Sequence, residues 1–139
     1  MLEVNALQAG YGPSRVLFDI TFAVEAGEVV SLLGRNGMGK TTTVHTLFGF
    51  LTPRAGTITF EGERIDGRRP FQIASRGLGL VPEGRRVFPA LTVTENLTAT
   101  ARAPAETSAS PWTVATVFDL FPRLKERAGH MGSQLSGGE

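Results

Sequence analysis

GRNGMGKTT, residues 34–42, is the stretch around which the rest of the chain is arranged. It follows the pattern of a glycine, four residues, and then glycine, lysine and threonine. The apolar run before it, residues 29–33, is typical of a buried strand. The apolar residues after it recur at the spacing of one helix face: Val44, Leu47, Phe48 and Leu51. The sequence therefore predicts a strand, a glycine loop and a helix in succession, the setting in which this pattern has a mechanism.

The residue types in this loop suit a polyphosphate. Glycines let successive backbone N–H groups point into one concave surface, because no Cβ blocks the required conformations or the approach of a ligand. A helix that opens near Lys40 adds unpaired N–H groups and the positive end of its dipole. Lys40 reaches β- and γ-phosphates, and the Thr41 hydroxyl is a ligand that Mg²⁺ accepts. The alternative is a glycine turn without a ligand, which leaves the lysine and the threonine unexplained.

The composition limits the classes of protein to consider. The length of 139 residues allows one domain, and 41% hydrophobic residues allow it a substantial core. A net charge of +1 argues neither for nor against nucleic acid. The absence of cysteine excludes disulfides and thiolate metal sites. The first residues lack signal-peptide features, and no apolar run approaches the ~20 residues of a membrane span, so we expect a soluble chain that reaches a membrane only through a partner.

Alternating segments on both sides of the loop predict the strands of a mixed sheet. Leu2, Val4 and Ala6 alternate with polar residues, as do the apolar residues of the segment 18–24. A further strand is predicted around residues 58–60. Tyr11 lies in a glycine-flanked loop between the first two strands. Either it stacks on a nucleotide base, or it is an ordinary surface tyrosine.

The middle of the chain predicts a short helix and another buried strand. Pro70 and Gly77 bracket the helix, with proline just inside it and glycine just after it. The apolar run 78–81 reads as a strand that leads directly to Glu83. Because α/β sheets place ligand groups after their core strands, Glu83 is a candidate Mg²⁺ ligand or water-orienting carboxylate. A solvated loop charge is the alternative.

The region from Thr92 onward reads as helical. Thr92 and Glu95 have the spacing of a capping box, which predicts a helix from there towards Arg102. Residues 104–111 read as a loop that ends in a Ser110-Pro111 cap for the next helix. We therefore expect residues 1–91 to form a core with the glycine loop and antiparallel strands, and residues 92–139 to form a helical subdomain.

The last five residues, LSGGE at 135–139, complete a longer pattern. Over its whole length the chain resembles the ATP-binding subunits of ABC transporters. Tyr11 matches their adenine-stacking aromatic loop, 34–42 the Walker A loop, 81–83 the glutamine loop and 135–139 the family signature. The loops 34–40 and 81–89 most resemble the ATPases of branched-chain amino acid importers, although some importers of urea or short amides look alike. In that subgroup a Glu commonly stands, like Glu83, where other members carry Gln.

The resemblance implies an α/β fold, a P-loop NTPase ABC cassette with a mixed β-sheet core and a helical subdomain, C-terminally incomplete. It also implies a head-to-tail dimer with a second ATP-binding subunit, identical or homologous. Membrane-spanning permease subunits are the other implied partners, with no nucleic acid. The loop around Glu83, Arg85 and Arg86 is expected to face those subunits. The implied location is the cytoplasmic face of the plasma membrane, peripheral through the permease.

The implied cofactors are ATP and Mg²⁺. Lys40, Glu83 and Ser136 are the catalytic residues that the resemblance implies, and Thr41 and Glu83 are the implied metal ligands. The implied nucleotide contacts are Tyr11, Gly34, Arg35, Asn36, Gly37, Met38, Gly39, Lys40, Thr41, Thr42, Ser136, Gly137 and Gly138. The last three would contact the γ-phosphate held by the other subunit.

The family pattern continues beyond Glu139 with a helix, an apolar strand that ends in Asp-Glu, and a switch histidine. None of these is found in the 139 residues. The acidic pair supplies a Mg²⁺-side aspartate and the glutamate that polarises the attacking water. We therefore expect a fragment, not catalytically competent by itself, of a parent that hydrolyses ATP. Three alternatives stay open: another P-loop class such as a small kinase or GTPase, an ABC ATPase outside transport, and a non-catalytic nucleotide-binding or interaction protein.

Overall fold

A computed structural model of the chain describes residues 1–84, 86–99, 101 and 112–139. These residues form two compact units, Met1–Leu80 and Val81–Glu139. The predicted loop 104–111, with its Ser110-Pro111 cap, lies outside the described residues, as do Arg85 and the predicted helix end at Arg102. The domain boundary at residue 91 stays a prediction.

The first unit is built on a four-stranded antiparallel sheet with the strand order β2-β1-β3-β4. Its strands are β1 Leu2–Tyr11, β2 Ser14–Val24, β3 Ala55–Phe60 and β4 Glu63–Arg64. Tyr11 pairs with Ser14, so the β1–β2 hairpin reverses over Gly12 and Pro13. Two helices accompany the sheet, α1 Lys40–Leu47 and α2 Pro70–Ser75. The bracketing of α2 by Pro70 and Gly77 confirms its prediction.

An irregularity in β1 changes which side chains are buried. Ala6 has a φ of 45°, and the register of the hairpin shifts between Val4 and Leu7. The Ala6 N–H donates to Thr21 Oγ1 at 2.9 Å. As a result Val4 and Leu7 are buried while Ala6 is exposed. The predicted alternation is therefore wrong at Ala6, because an extra residue in one strand moves the following side chains to the other face.

The core of the first unit is formed by residues of the sheet together with Ile65 and Ile73, which follow β4 in the chain. Its fully buried residues are Val4, Leu7, Ala9, Leu17, Ile58, Ile65 and Ile73. Helix α1 buries Thr42, Thr43 and Thr46, with Leu47 packing partly against the core. The hydroxyls of Thr43 and Thr46 tolerate burial because they donate to backbone carbonyls one turn earlier, Thr43 to Gly39 at 3.0 Å and Thr46 to Thr42 at 2.7 Å. The predicted apolar face through Val44 is thus only partly correct.

Two predicted strands are wrong for the part of the chain that the structure describes. Residues 29–33 and 78–81 pair with no strand there. Val29, Leu33 and Val81 are 94%, 88% and 95% exposed. A strand that is apolar on both faces forms only between neighbouring strands and under covering helices, and the antiparallel sheet of the described residues provides no such place. Both segments therefore have the apolar composition of core strands, but among the described residues they have no neighbouring strand to pair with.

The described residues of the second unit contain helices and no strand of the sheet. They form α3 Val93–Ala99, α4 Val114–Leu120, α5 Pro122–Glu126 and a 3₁₀ turn at Gly132–Gln134. The capping box is confirmed: Thr92 Oγ1 accepts from the Glu95 N–H at 3.2 Å, and the Glu95 carboxylate accepts from the Thr92 N–H at 2.7 Å. Thr113 is the N-cap of α4 and accepts from the Thr116 N–H.

Asp66 ties β3 to the end of β4. Its Oδ1 accepts from the Ile58 N–H at 3.2 Å and from Arg64 Nε at 3.1 Å, and its Oδ2 accepts from Arg64 Nη2 at 2.8 Å. The Asp66 side chain is 16% exposed. The hydrogen bond from Arg64, followed by that from the Ile58 N–H, lowers the pKa of Asp66 although burial opposes this. The ionised carboxylate therefore stabilises the folded state.

We expect Asp66→Asn to lower the free energy of unfolding at neutral pH by about 1–3 kcal/mol, because charge-assisted hydrogen bonds are lost. Since the folded-state pKa lies below the unfolded-state value, the stabilisation is complete above the unfolded-state pKa and is lost as the pH falls through the folded-state pKa. Urea denaturation at several pH values measures this. The matched control is Asp19→Asn, whose carboxylate accepts from the Gln8 side chain. A difference that stays constant into acid would contradict the assignment.

Candidate nucleotide-binding site

The glycine loop ends in a backbone conformation that only glycine adopts easily. Gly37 and Gly39 have φ values of 83° and 87°, and Gly39 directly precedes α1. A Cβ at Gly39 would lie 2.7 Å from Leu17 Cδ2 and 3.3 Å from Val16 Cγ1. Strand β2 therefore forms a wall against which the loop packs, and the Gly39 position excludes a side chain.

The Lys40 ammonium lies over the loop. Its Nζ donates to the Gly34 carbonyl at 2.6 Å and to the Arg35 carbonyl at 3.0 Å. These two bonds draw the lysine side chain back across residues 34–39. A positive charge is thus held beside the concave backbone, which is the position from which it can exchange carbonyl partners for phosphate oxygens.

The N-terminus of α1 favours an anion. Its N-cap, Gly39, has no side chain to accept from the first N–H groups, and the first turn contains no acidic residue. Both features leave the positive end of the helix without a compensating negative group of its own. Together with the Lys40 ammonium and the conformations of Gly37 and Gly39, this arrangement fits a bound polyphosphate.

Thr41 meets the requirement for a ligand of a phosphate-bound cation. It is exposed, whereas the following Thr42 is buried. Among the described residues no group of three His, Cys, Asp or Glu side chains is placed to hold a metal ion. Mg²⁺ is commonly held by few protein ligands together with phosphate oxygens and waters. The residues present therefore fit Mg²⁺ that arrives with a nucleotide.

Tyr11 is the last residue of β1 and is not in a loop, which corrects that part of the prediction. It is 50% exposed. Its strand partner, Ser14, lies three residues before Leu17 in β2, so their Cα atoms are about 10 Å apart at the rise of a strand. Leu17 is one of the two residues that lie beside Gly39. The aromatic ring and the glycine loop thus belong to one unit, Met1–Leu80.

The remaining predicted site residues belong to the second unit. Glu83 is exposed and precedes Gly84, which has a φ of 84°. Ser136, Gly137 and Gly138 are exposed in a turn that the Glu139 N–H closes on the Ser136 carbonyl at 3.1 Å.

The Glu139 carboxylate makes two contacts that hold the signature turn, residues 136–139. It accepts from the Ser136 N–H at 2.8 Å and pairs with Arg127 Nε at 3.3 Å. The hydrogen bond from Ser136 lowers the pKa of Glu139, with a smaller effect of Arg127. Ser136 and Glu139 have the spacing of a capping box, which is the sequence signal by which this contact can be found.

Two further residues organise the site regions, and sequence reasoning missed both. Asn96 accepts from the Phe88 N–H at 2.8 Å and donates to the Phe88 carbonyl at 3.0 Å, which ties the segment after Glu83 to α3. Arg54 donates to the turn that follows Tyr11. No local pattern marks either residue, because their partners are set by the fold and not by a repeating spacing.

No helix among the described residues has the length and apolar character needed to cross a membrane.

The chain matches known proteins along its length. The family model described as ABC transporter matches residues 17–139. The chain is 40% identical to the high-affinity branched-chain amino acid transport ATP-binding protein BraG of Pseudomonas aeruginosa, over 100% of the chain and 59% of BraG. It is 30% identical to the probable branched-chain amino acid transport ATP-binding protein LivF of Archaeoglobus fulgidus, over 100% of the chain and 58% of LivF.

The chain is also similar to an ATP-binding protein of an export system and to a solved ABC transporter subunit. The Nod factor export ATP-binding protein I of Paraburkholderia xenovorans is 36% identical over 99% of the chain and 44% of its own length. A solved ATP-binding subunit of an ABC transporter superposes with a TM-score of 0.77 at 33% identity, over 99% of the chain and 56% of that subunit. The chain thus spans little more than half the length of its branched-chain amino acid relatives. Because the family model covers all but the first residues, the chain belongs to the ABC transporter family and has the fold of its ATP-binding cassettes.

Proposed function

We propose that the chain is the nucleotide-binding part of an ATPase subunit that powers an ABC importer of branched-chain amino acids. The observation that carries the proposal is the glycine loop at the start of α1, where Lys40 lies over the backbone carbonyls of Gly34 and Arg35. Membership of the ABC transporter family supports ATP as the ligand. The similarity to BraG and LivF supports the class of solute.

Residues 34–42 bind and orient the triphosphate. The backbone N–H groups of the loop and of the first turn of α1 donate to phosphate oxygens, and Lys40 neutralises their charge. The Thr41 hydroxyl would hold Mg²⁺, and the Tyr11 ring would stack on the base. When bound, Mg-ATP supplies the scissile phosphoanhydride bond and the charged group that two subunits share.

The signature turn acts on the nucleotide of a second subunit. Ser136 and the amides of Gly137 and Gly138 contact the γ-phosphate across a head-to-tail dimer interface. Because each nucleotide then touches both subunits, it favours the closed dimer, and its hydrolysis removes that bridge. Glu83 would be the carboxylate that coordinates Mg²⁺ or orients the attacking water. Its carboxylate accepts hydrogen bonds but, unlike an amide, donates none when ionised.

The proposed protein is longer than this chain. Residues 1–91 form part of its nucleotide-binding lobe and residues 92–139 its helical subdomain. A segment beyond Glu139 supplies the acidic pair and the switch histidine, and covers the exposed apolar segments 29–33 and 78–81. The subunit attaches to membrane-spanning permease subunits at the cytoplasmic face of the plasma membrane.

Intact mass spectrometry of the protein from its natural source tests the proposed length. We expect a mass well above the 14.8 kDa of this chain. A natural mass of 14.8 kDa would contradict hydrolysis by this protein and favour a nucleotide-binding subunit without turnover.

Solute uptake tests the proposed transport. In cells that lack the subunit, uptake of radiolabelled leucine, isoleucine and valine should be lost, then restored by the wild type and by the control Lys125→Ala but not by Lys40→Ala. Uptake of leucine that persists while uptake of urea or short amides is lost would contradict the assigned solute.

A further inference from the structure

We propose that Arg54 is the positioning residue of the base-binding tyrosine: its guanidinium clamps the β1–β2 turn and thereby holds Tyr11 in place for the nucleotide base. This inference rests on the proposed nucleotide-binding function. It adds to that function a residue that directly precedes β3 and is distant in sequence from Tyr11.

The clamp consists of hydrogen bonds to three consecutive carbonyls of the turn. Arg54 Nη2 donates to the carbonyls of Gly12 and Ser14, the latter at 3.3 Å. Nη1 lies 3.5 Å from the Pro13 carbonyl. One planar group therefore reaches every carbonyl from the residue after Tyr11 to its strand partner.

The backbone of Arg54 is fixed as well. Its N–H donates to the Gln8 carbonyl at 2.7 Å, directly before β3 begins at Ala55. The guanidinium thus extends along the hairpin from an anchored point beside β1. Since β1 and β3 are paired, the clamp joins the turn to the rigid part of the sheet.

The chemistry of the turn explains why a clamp matters there. Pro13 has no N–H to donate, and Gly12 has a φ of 51° and the widest conformational freedom of any residue type. Tyr11 directly precedes these two residues and is half exposed. A ring at the end of such a turn loses conformational freedom when it stacks on a base, and a turn that is already held reduces this loss.

The structure also accounts for arginine at this position. A guanidinium offers five N–H donors in a fixed plane, whereas an ammonium offers three donors around a point. Carbonyls of three successive residues are therefore matched by arginine, and a lysine engages only some of them. We therefore expect an Arg54→Lys variant to hold the turn only in part and to keep part of the wild-type affinity for ATP.

The test compares a ligand that has a base with one that lacks it. In the natural-length protein, isothermal titration measures the dissociation constants of Mg-ATP and of Mg-tripolyphosphate. We expect Arg54→Ala to raise the constant for Mg-ATP about five- to tenfold, a part of what one stacked base contributes, and to leave that for Mg-tripolyphosphate unchanged. Arg54→Lys should recover part of the loss. The matched control is Arg68→Ala, which removes a single bond to the Arg64 carbonyl at 3.0 Å.

A double-mutant cycle shows whether Arg54 acts through the tyrosine. In a Tyr11→Ala background, Arg54→Ala should cause no additional loss of ATP affinity. An additional loss, or an equal loss for Mg-ATP and Mg-tripolyphosphate, would overturn the inference. So would a Tyr11→Ala variant that binds ATP weakly beside an Arg54→Ala variant that binds it normally.

Different results would overturn the proposed nucleotide-binding function itself. If the wild type binds neither ligand, the nucleotide-binding role is overturned and this inference with it. If Tyr11→Ala leaves ATP binding unchanged while tripolyphosphate still binds, the glycine loop keeps its role and only the base platform and its clamp are overturned. Thermal unfolding of Arg54→Ala and Arg54→Lys without ligand establishes that both variants fold.

Discussion

Lys40→Ala is expected to weaken the binding of Mg-ATP about 100-fold or more. The ammonium lies beside the loop carbonyls of Gly34 and Arg35, where it can transfer its hydrogen bonds to phosphate oxygens. Two charge-assisted hydrogen bonds at about 1.5–3 kcal/mol each correspond to a loss of this size, since 1.4 kcal/mol is about tenfold in affinity. Titration with a fluorescent ATP analogue measures it.

The control for this variant is Lys125→Ala, which removes an exposed lysine from the second unit. It should bind the analogue like the wild type. Unchanged affinity in Lys40→Ala would refute the assigned role of the ammonium. Equal losses in both variants would show that the effect is one of net charge and not of the loop.

Ser136→Arg is expected to lower ATP hydrolysis by the natural-length dimer about 100-fold, while ATP binding by the isolated subunit changes less than about twofold. The variant replaces a small donor with a bulky side chain where the signature would contact the γ-phosphate of the other subunit. Removing one preorganised donor to developing charge commonly costs about 10²–10³ in rate. The Glu139 carboxylate bonds the backbone N–H of Ser136, so the turn itself should survive.

Phosphate release at saturating ATP, together with binding measured on the monomer, tests this separation. Ser133→Arg is the matched control, an exposed serine in the 3₁₀ turn just before the signature. Loss of ATP binding by the Ser136→Arg monomer would contradict a role in the opposite site. Full hydrolysis by the Ser136→Arg dimer would contradict the signature contact altogether.

The sequence predicted best what local chemistry decides. The capping box of Thr92 and Glu95 and the start of α2 at Pro70 each depend on residues within one helical turn, and the structure confirms both. The glycine loop is likewise local, and the positive φ values of Gly37 and Gly39 follow from the pattern that predicted it. The roles of Tyr11, Glu83 and Ser136 stay predictions.

The sequence failed where the environment decides. The bulge at Ala6 moves the buried side chains of β1 by one position, and alternation alone does not reveal an inserted residue. The apolar runs 29–33 and 78–81 wrongly predicted strands, because they have the composition of buried strands but a strand needs partners that the described sheet does not provide. Arg54 was missed because its carbonyl partners lie 40 to 42 residues earlier in the chain.

The most direct test of the account is the stability of the natural-length protein with and without Mg-ATP. If the glycine loop binds the triphosphate, ATP at 100 times its dissociation constant should raise the free energy of unfolding by about 2.7 kcal/mol, and the Lys40→Ala variant should gain only about 0.4 kcal/mol or less at the same concentration. No stabilisation of the wild type at millimolar Mg-ATP would contradict both the catalytic and the binding function proposed for this chain.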